Sequence, residues 1–285
     1  MIKAGLVVEG GGMRGVYSSG VLDFFIEKEL FFENNYGVSA GACHLCSYLA
    51  KQYKRAFRVN VDYLNDKRYC SVHSLLKTGN LFGAEMLYDI IPNELDLFDY
   101  DTYNKNESNF YVVITDINTG KPEYVKIGDL KKDIIYVRAS SSLPLLAQNV
   151  KINDKEYLDG GISDSIPIKK SIADGNKKNV VILTRDSTYR KGKNSLMPII
   201  KLKYKKYPNF VKSMADRYIV YNEILDFIKE LEDNGDVFVI RPKKPVNIGR
   251  TEKNREKLEA LYNDGYNDAK DCYEELLKYL GKENL

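Results

Sequence analysis

Tryptophan is absent from this 285-residue chain, and histidine occurs only at His44 and His73. A general base therefore has few imidazoles to come from. The four cysteines, Cys43, Cys46, Cys70 and Cys272, are too sparse and irregular for a disulfide framework. They fit a reducing compartment, with the cytoplasm as the expected location. No run approaches the roughly 18 apolar residues of a membrane span. The stretch Ala4 to Val8, halted by Glu9, is too brief for a secretory signal. Neither sign of charge dominates: 43 Lys and Arg stand against 40 Asp and Glu, a net +3. That balance excludes a whole-molecule attraction to nucleic acid. Internal repeats, low-complexity tracts and Pro- or Ser-rich linkers are missing too.

What is present is enough apolar residue, 44% of the chain, to bury a sizeable core. Disordered, collagen-like and disulfide-stapled classes are thereby excluded. The apolar segment Ala4 to Val8 reads as a buried strand running into glycines Gly10, Gly11, Gly12 and Gly15. Helical spacing then predicts a helix over 16–30, a short strand over 36–38 and a second helix over 40–53. This opening rhythm is that of a parallel sheet covered by helices. Further strands are expected at 110–114, 124–127, 180–183 and 237–240, with a hairpin over 151–158 turning at Asn153-Asp154. A long amphipathic helix is expected over 209–232, and two charged helices, 252–262 and 264–280, end the chain.

Two glycine motifs carry most of the chemical information. Gly10-x-Gly12-x-x-Gly15, between a strand and a helix, satisfies the dinucleotide fingerprint, in which backbone N–H groups approach a pyrophosphate. It equally suits a turn that offers amides to an oxyanion, with Arg14 helping to hold the loop, or a tight turn with no ligand. Gly37-Val38-Ser39-Ala40-Gly41 is Gly-x-Ser-x-Gly at a strand-to-helix junction, where a sharp turn lifts the hydroxyl clear of the backbone. Its simpler reading is a serine capping the following helix. A dinucleotide site would want an acidic residue at the end of the second strand. Glu33 is the nearest candidate and precedes the expected strand.

A nucleophilic serine needs a base. His44 lies five residues after Ser39 on the same expected helix and points elsewhere at 100° per residue, and His73 has no supporting pattern. A carboxylate is therefore the expected base. The best placed is Asp159 in Leu158-Asp159-Gly160-Gly161, whose alternative reading is a turn aspartate bonding its own backbone.

Four motifs occur in one order: Glu9-Gly10-Gly11-Gly12-Met13-Arg14-Gly15, Gly37-Val38-Ser39-Ala40-Gly41, Ala139-Ser140-Ser141-Ser142-Leu143-Pro144 and Asp159-Gly160-Gly161. In this the chain resembles the patatin-like phospholipases, and Ile248-Gly249-Arg250 with its charged tail is similar to a small bacterial subgroup of them. The resemblance implies a three-layer α/β/α fold with a mostly parallel central sheet and a helical C-terminal extension. It implies one domain over 1–285, with a motif core at about 3–185, a basic loop or lid at 186–208 and C-terminal helices with the last strand at 209–285. It makes Ser39 the nucleophile and Asp159 its base. The turn of Gly10, Gly11, Gly12, Arg14 and Gly15 becomes the oxyanion hole, and Gly37 and Gly41 the nucleophile elbow. No metal or cofactor is implied, and the substrate is a lipid or similar carboxylic ester.

Other features point elsewhere or nowhere. Cys43-His44-Leu45-Cys46 has redox or zinc spacing but no second pair, so buried thiols packing a helix are the simpler account. Asp96, Asp99 and Asp101 lack calcium-loop spacing and read as a solvated acidic turn. The segment Arg185 to Lys206 interleaves eight Lys and Arg with Leu196, Met197, Ile199, Ile200 and Leu202, against the single acid Asp186. It reads as a solvated loop, or as a lid or peripheral contact with a membrane surface.

Overall fold

The computed structural model describes residues 1 to 282. Among them the chain runs β1 (Ile2–Val8), α1 (Val16–Glu27), β2 (Phe32–Val38), α2 (Ala40–Leu49), α3 (Arg55–Val61), α4 (Val72–Thr78) and a π-wound helix (Met86–Leu95). There follow α5 (Tyr100–Asn104), β3 (Asn109–Asp116), β4 (Pro122–Ile127), α6 (Leu130–Ser140), β5 (Val150–Ile152), β6 (Lys155–Asp159) and α7 (Ile168–Ala173). The remainder is β7 (Asn179–Ile182), α8 (Met197–Lys203), α9 (Pro208–Asp233), β8 (Val237–Ile240), α10 (Arg255–Asp271) and α11 (Tyr273–Leu280).

Five strands are parallel, in the spatial order β3-β2-β1-β7-β8. The antiparallel β4 and β6 both pair with β3, and β5 pairs with β6. Successive residues of a strand face opposite sides, and β1 uses both. Leu6 and Val8 pack with Val21 and Phe25 of α1 and Leu45 of α2. Val7 packs with Ile168 of α7 and with Tyr221, Ile224 and Ile228 of α9. A sheet apolar on both faces and helical on both sides is the three-layer α/β/α arrangement. No helix of the described residues is long and apolar enough to cross a membrane.

Helix α1 is buried all round from Val16 to Phe25 because it lies between the sheet and α10. The α1–α10 seam closes on two glycines: a Cβ on Gly20 would meet the Tyr262 carbonyl oxygen at 2.1 Å, and one on Gly265 the Tyr17 carbonyl oxygen at 2.0 Å. The last helices consequently differ from expectation. The expected break at Asn263 is absent, since α10 runs unbroken from Arg255 to Asp271, and the break falls at Cys272.

Two more helices end early for a shared reason. At the end of α1, Leu30 N–H bonds Phe25 O and Glu29 N–H bonds Ile26 O; at the end of α2, Gln52 N–H bonds Ser47 O and Lys51 N–H bonds Tyr48 O. This double pattern stops a helix with a left-handed residue. Here that residue is Glu29 (φ 52°) or Lys51 (φ 56°), not the usual glycine, so composition gives no warning. The expected 16–30 and 40–53 helices thus end at Glu27 and Leu49. The acidic turn also differs: Asp96 is held by Arg58 at 2.7 Å and Arg55 at 3.4 Å, and is mostly buried. The basic segment is not wholly loop, since α8 lies inside it.

Candidate active site

The strand order turns back at β1, with β2 on one side and β7 on the other. Carboxyl ends of strands at such a point open a crevice, and the two glycine motifs sit there, directly after β1 and β2. Pairing along β3 brings in the third. Tyr111 pairs with both β2 and β4, and Ile114 with both β4 and β6. A strand has only two edges, so β2 and β6 share one. They run in opposite directions along it, β2 up to Val113 and β6 down to Ile114. Their carboxyl ends therefore meet, and Ser39 and Asp159 face each other.

Ser39 Oγ donates to Asp159 Oδ2 at 2.7 Å. Ser39 holds φ 54° and ψ −124°, a region that non-glycine residues enter only where the surroundings force it. The flanking glycines permit the elbow: a Cβ on Gly37 would meet Ala42 Cα at 2.6 Å, and one on Gly41 the Val8 carbonyl oxygen at 2.4 Å. Asp159 Oδ1 accepts from the Gly161 amide at 2.8 Å. The serine run Ser140 to Ser142 joins the two halves. Ser140 Oγ accepts from the Ser39 amide, and the Ser142 carbonyl accepts from the Asp159 amide, each at 2.8 Å. Burial raises the Asp159 pKa above the usual carboxylate value, against the opposing Arg217 charge and the bonds from Ser39 and Gly161.

The glycine turn packs on this pair. A Cβ on Gly10 would meet Ser39 Cβ at 2.8 Å, one on Gly15 would meet Ala40 Cβ at 2.8 Å, and Gly12 has φ +57°. The amides of Met13 and Arg14 are engaged, by the Arg250 carbonyl at 3.0 Å and the Gly11 carbonyl at 3.3 Å. Those of Gly11 and Gly12 find no acceptor among the described residues. The Arg14 guanidinium is buried, and its Nε has no partner there either. Glu33 lies at the start of β2, the end away from the turn and not the end where a dinucleotide ribose would need an acidic residue.

His44 lines the same cavity as Ser39 but makes no hydrogen bond to it. Its Nε2 accepts from Asn60 Nδ2 at 3.0 Å, and burial lowers its pKa to about 4, leaving it neutral. His73 is exposed on α4. Cys46 is buried and bonds the Ala42 carbonyl, in keeping with a packing role, while Cys43 Sγ lies 3.3 Å from Ser141 Oγ on the wall of a cavity.

Two cavities meet at Ser39, and both are also lined by Gly12 and Leu143. One, of about 130 Å³, is walled by apolar side chains that include Met13, Val59, Leu87, Phe98 and Val137. The other, of about 30 Å³, is lined by Glu9, Arg14, Asp159, Lys191, Arg217, Tyr221 and Arg250. Lys191, Arg217, Tyr221 and Arg250 belong to no motif. The available signals were faint: Lys191 falls in the basic segment, and Arg250 in Ile248-Gly249-Arg250.

The three-layer α/β/α sheet, with a serine at its strand-to-helix elbow bonded to a buried carboxylate, is a hydrolase-type arrangement. The chain belongs to the patatin-like phospholipase family, whose model matches residues 6–171. A second model, a domain of unknown function (DUF6363), matches residues 207–281. The uncharacterized protein YjjU of Escherichia coli (strain K12) is 28% identical over 86% of this chain and 70% of its own length. The probable lipid hydrolase 463L of Invertebrate iridescent virus 6 is 25% identical over 65% of this chain and 71% of its own. Among solved structures, VipD from Legionella pneumophila aligns with a TM-score of 0.46 and 12% identity, covering 98% of this chain and 67% of that one.

Proposed function

We propose that the protein is a serine acyl hydrolase of lipid carboxylic esters, with Ser39 as nucleophile and Asp159 as its base. The observation that carries this is the 2.7 Å Ser39–Asp159 hydrogen bond at the meeting point of an apolar and a polar cavity. Family membership and the viral relative's name support a lipid ester as substrate. Asp159 takes the hydroxyl proton as Ser39 Oγ bonds to the ester carbonyl carbon. The alkoxide that forms is held by the glycine turn, with the Gly11 and Gly12 amides as donors and Gly10, Arg14 and Gly15 shaping it. Collapse breaks the ester C–O bond, and the alcohol leaves with the proton from Asp159. Water then repeats the sequence on acyl-Ser39, releasing the acid and restoring the hydroxyl.

The unit that does this is read as the whole chain, 1–285, since Arg217 and Arg250 of the C-terminal part line the same recess as Ser39. A peripheral membrane contact through α8 fits the same function. Hydrolysis of p-nitrophenyl esters of increasing chain length tests the reading. Ser39→Ala and Asp159→Asn should each remove turnover, with thermal unfolding showing that both variants remain folded. Equal hydrolysis by wild type and Ser39→Ala would overturn it and favour a lipid-binding protein of the same fold.

A further inference from the structure

Four cations, Arg14, Lys191, Arg217 and Arg250, converge on the small recess beside Ser39, and they come from four separate parts of the chain. Among the described residues two carboxylates line it, Glu9 and Asp159, and both accept hydrogen bonds from neutral donors. Glu9 Oε2 accepts from the Thr184 amide at 2.7 Å and its Oγ1 at 2.9 Å, and Glu9 Oε1 accepts from Tyr221 Oη at 2.5 Å. Asp159 is engaged by Ser39 and Gly161. Among the described residues none of the four cations forms an ion pair, and the contact made by the Arg217 Nε is to a neutral carbonyl, that of Gly161, at 2.5 Å.

Four basic side chains beside two carboxylates leave an excess of positive charge in the recess, and that crowding is unfavourable for the members that are partly buried. Burial, reinforced by neighbouring Arg250, lowers Arg217 to about 10. Burial, reinforced by Arg217, lowers Lys191 to about 7, so it is only partly charged near neutral pH and a bound anion would draw it to the protonated form. Such a cluster is complementary to an anion carrying more than one charge and several acceptor oxygens, and planar guanidinium forks suit phosphate oxygens.

We propose that this recess binds a terminal phosphate monoester, so that the substrate is an acyl ester whose alcohol half carries that dianion. The inference rests on the hydrolase reading and names its substrate class. The cations lie on the polar side of Ser39, across from the apolar cavity, so an ester seated at Ser39 with its chain in the apolar cavity directs its alcohol half at them. A zwitterionic head group fits less well: its quaternary ammonium would enter a recess in which basic side chains outnumber the carboxylates Glu9 and Asp159.

The test compares three esters with one shared chain, 1-oleoyl lysophosphatidic acid, 1-oleoyl lysophosphatidylcholine and 1-oleoylglycerol, in wild type, Lys191→Gln and Arg250→Gln. Wild type should favour the phosphate monoester over both others by roughly tenfold or more in kcat/KM, mainly through KM, because hydrogen bonds to charged groups carry that weight. The preference should collapse in each variant. In parallel, calorimetry on Ser39→Ala titrated with glycerol 3-phosphate and with inorganic phosphate separates a head-group site from a site for free phosphate. Equal rates on the three esters, or tight inorganic phosphate binding without any ester preference, overturn the proposal. If wild type hydrolyses none of the esters while Ser39→Ala binds glycerol 3-phosphate in a Lys191-dependent way, the recess stands and the hydrolase reading falls.

Discussion

An aspartate hydrogen-bonded to a serine is a weak base in water, since its ordinary pKa of 3.8 leaves it little appetite for a proton. Burial changes that, and the direction of the change makes a prediction. In the proposed mechanism Asp159 must be ionised to accept the Ser39 proton, so kcat/KM on a neutral ester should fall as pH drops through its pKa. Because burial raises that pKa, the acid limb should lie above the ordinary carboxylate value. Arg217 opposes the rise, so Arg217→Met should move the limb to still higher pH, and His44→Gln should leave its position alone. A limb that shifts with His44 and not with Arg217 would assign the base wrongly to Asp159. At this scale the sequence was most informative where chemistry demands adjacent small residues, as around Ser39 and Gly12. It placed Lys191 only in a basic segment read as loop or lid, and was silent on Arg217. A lone basic residue on a loop or helix looks the same whether it faces water or a recess, and only the three-dimensional convergence separates the two cases.

Helix α8 turns Ile200 inward, and Ile200 and the following Tyr204 pack with Phe210 and Met214. Its outer side carries Leu196, Ile199 and Leu202, 49%, 54% and 74% exposed, beside Lys201, Lys203, Lys205 and Lys206. Exposed apolar side chains among lysines suit a lipid surface, where each lysine contributes ~1 kcal/mol and each buried large aliphatic side chain about 1.5–3 kcal/mol. The double variant Ile199→Ser, Leu202→Ser should therefore lose at least tenfold in partition to phosphatidylglycerol vesicles, read by sedimentation, with its circular dichroism unchanged. Undiminished binding would remove α8 as the contact. The elements themselves were legible wherever periodicity was strong, as in α9, whose observed Pro208–Asp233 nearly coincides with the expected 209–232. Helix ends were not, because Glu29 and Lys51 adopt the left-handed conformation without the glycine that usually marks it. The break expected at 263 is likewise absent, since α10 runs on to Asp271 with Gly265 packed against α1.

At the scale of the whole molecule, the C-terminal helices and the glycine turn are mechanically linked. Helix α10 is fastened to α1 by the glycine seam and by two hydrogen bonds, the partly buried Tyr17 Oη to Asp268 Oδ2 and the buried Tyr262 Oη to Asp23 Oδ2, both at 2.9 Å. The chain entering α10 passes through Arg250, whose carbonyl receives the Met13 amide and lies 2.7 Å from where a Gly12 Cβ would be. Loosening α10 should therefore disturb the turn beside Ser39 as well as the core. Gly265→Ala places a methyl 2.0 Å from the Tyr17 carbonyl oxygen, a clash with backbone that only separation of the helices relieves. Overpacking of this kind costs about 1–3 kcal/mol, and at roughly 2–4 °C per kcal/mol for a chain of this size the melting temperature should fall by several degrees. Esterase activity, measured well below that transition, should fall with it. Arg250→Ala supplies the contrast: it removes the charge but keeps the carbonyl contact with Met13, so it should change head-group preference with little loss of thermal stability. If Gly265→Ala melts like wild type and retains full kcat/KM, the C-terminal helices are not what holds the turn in place.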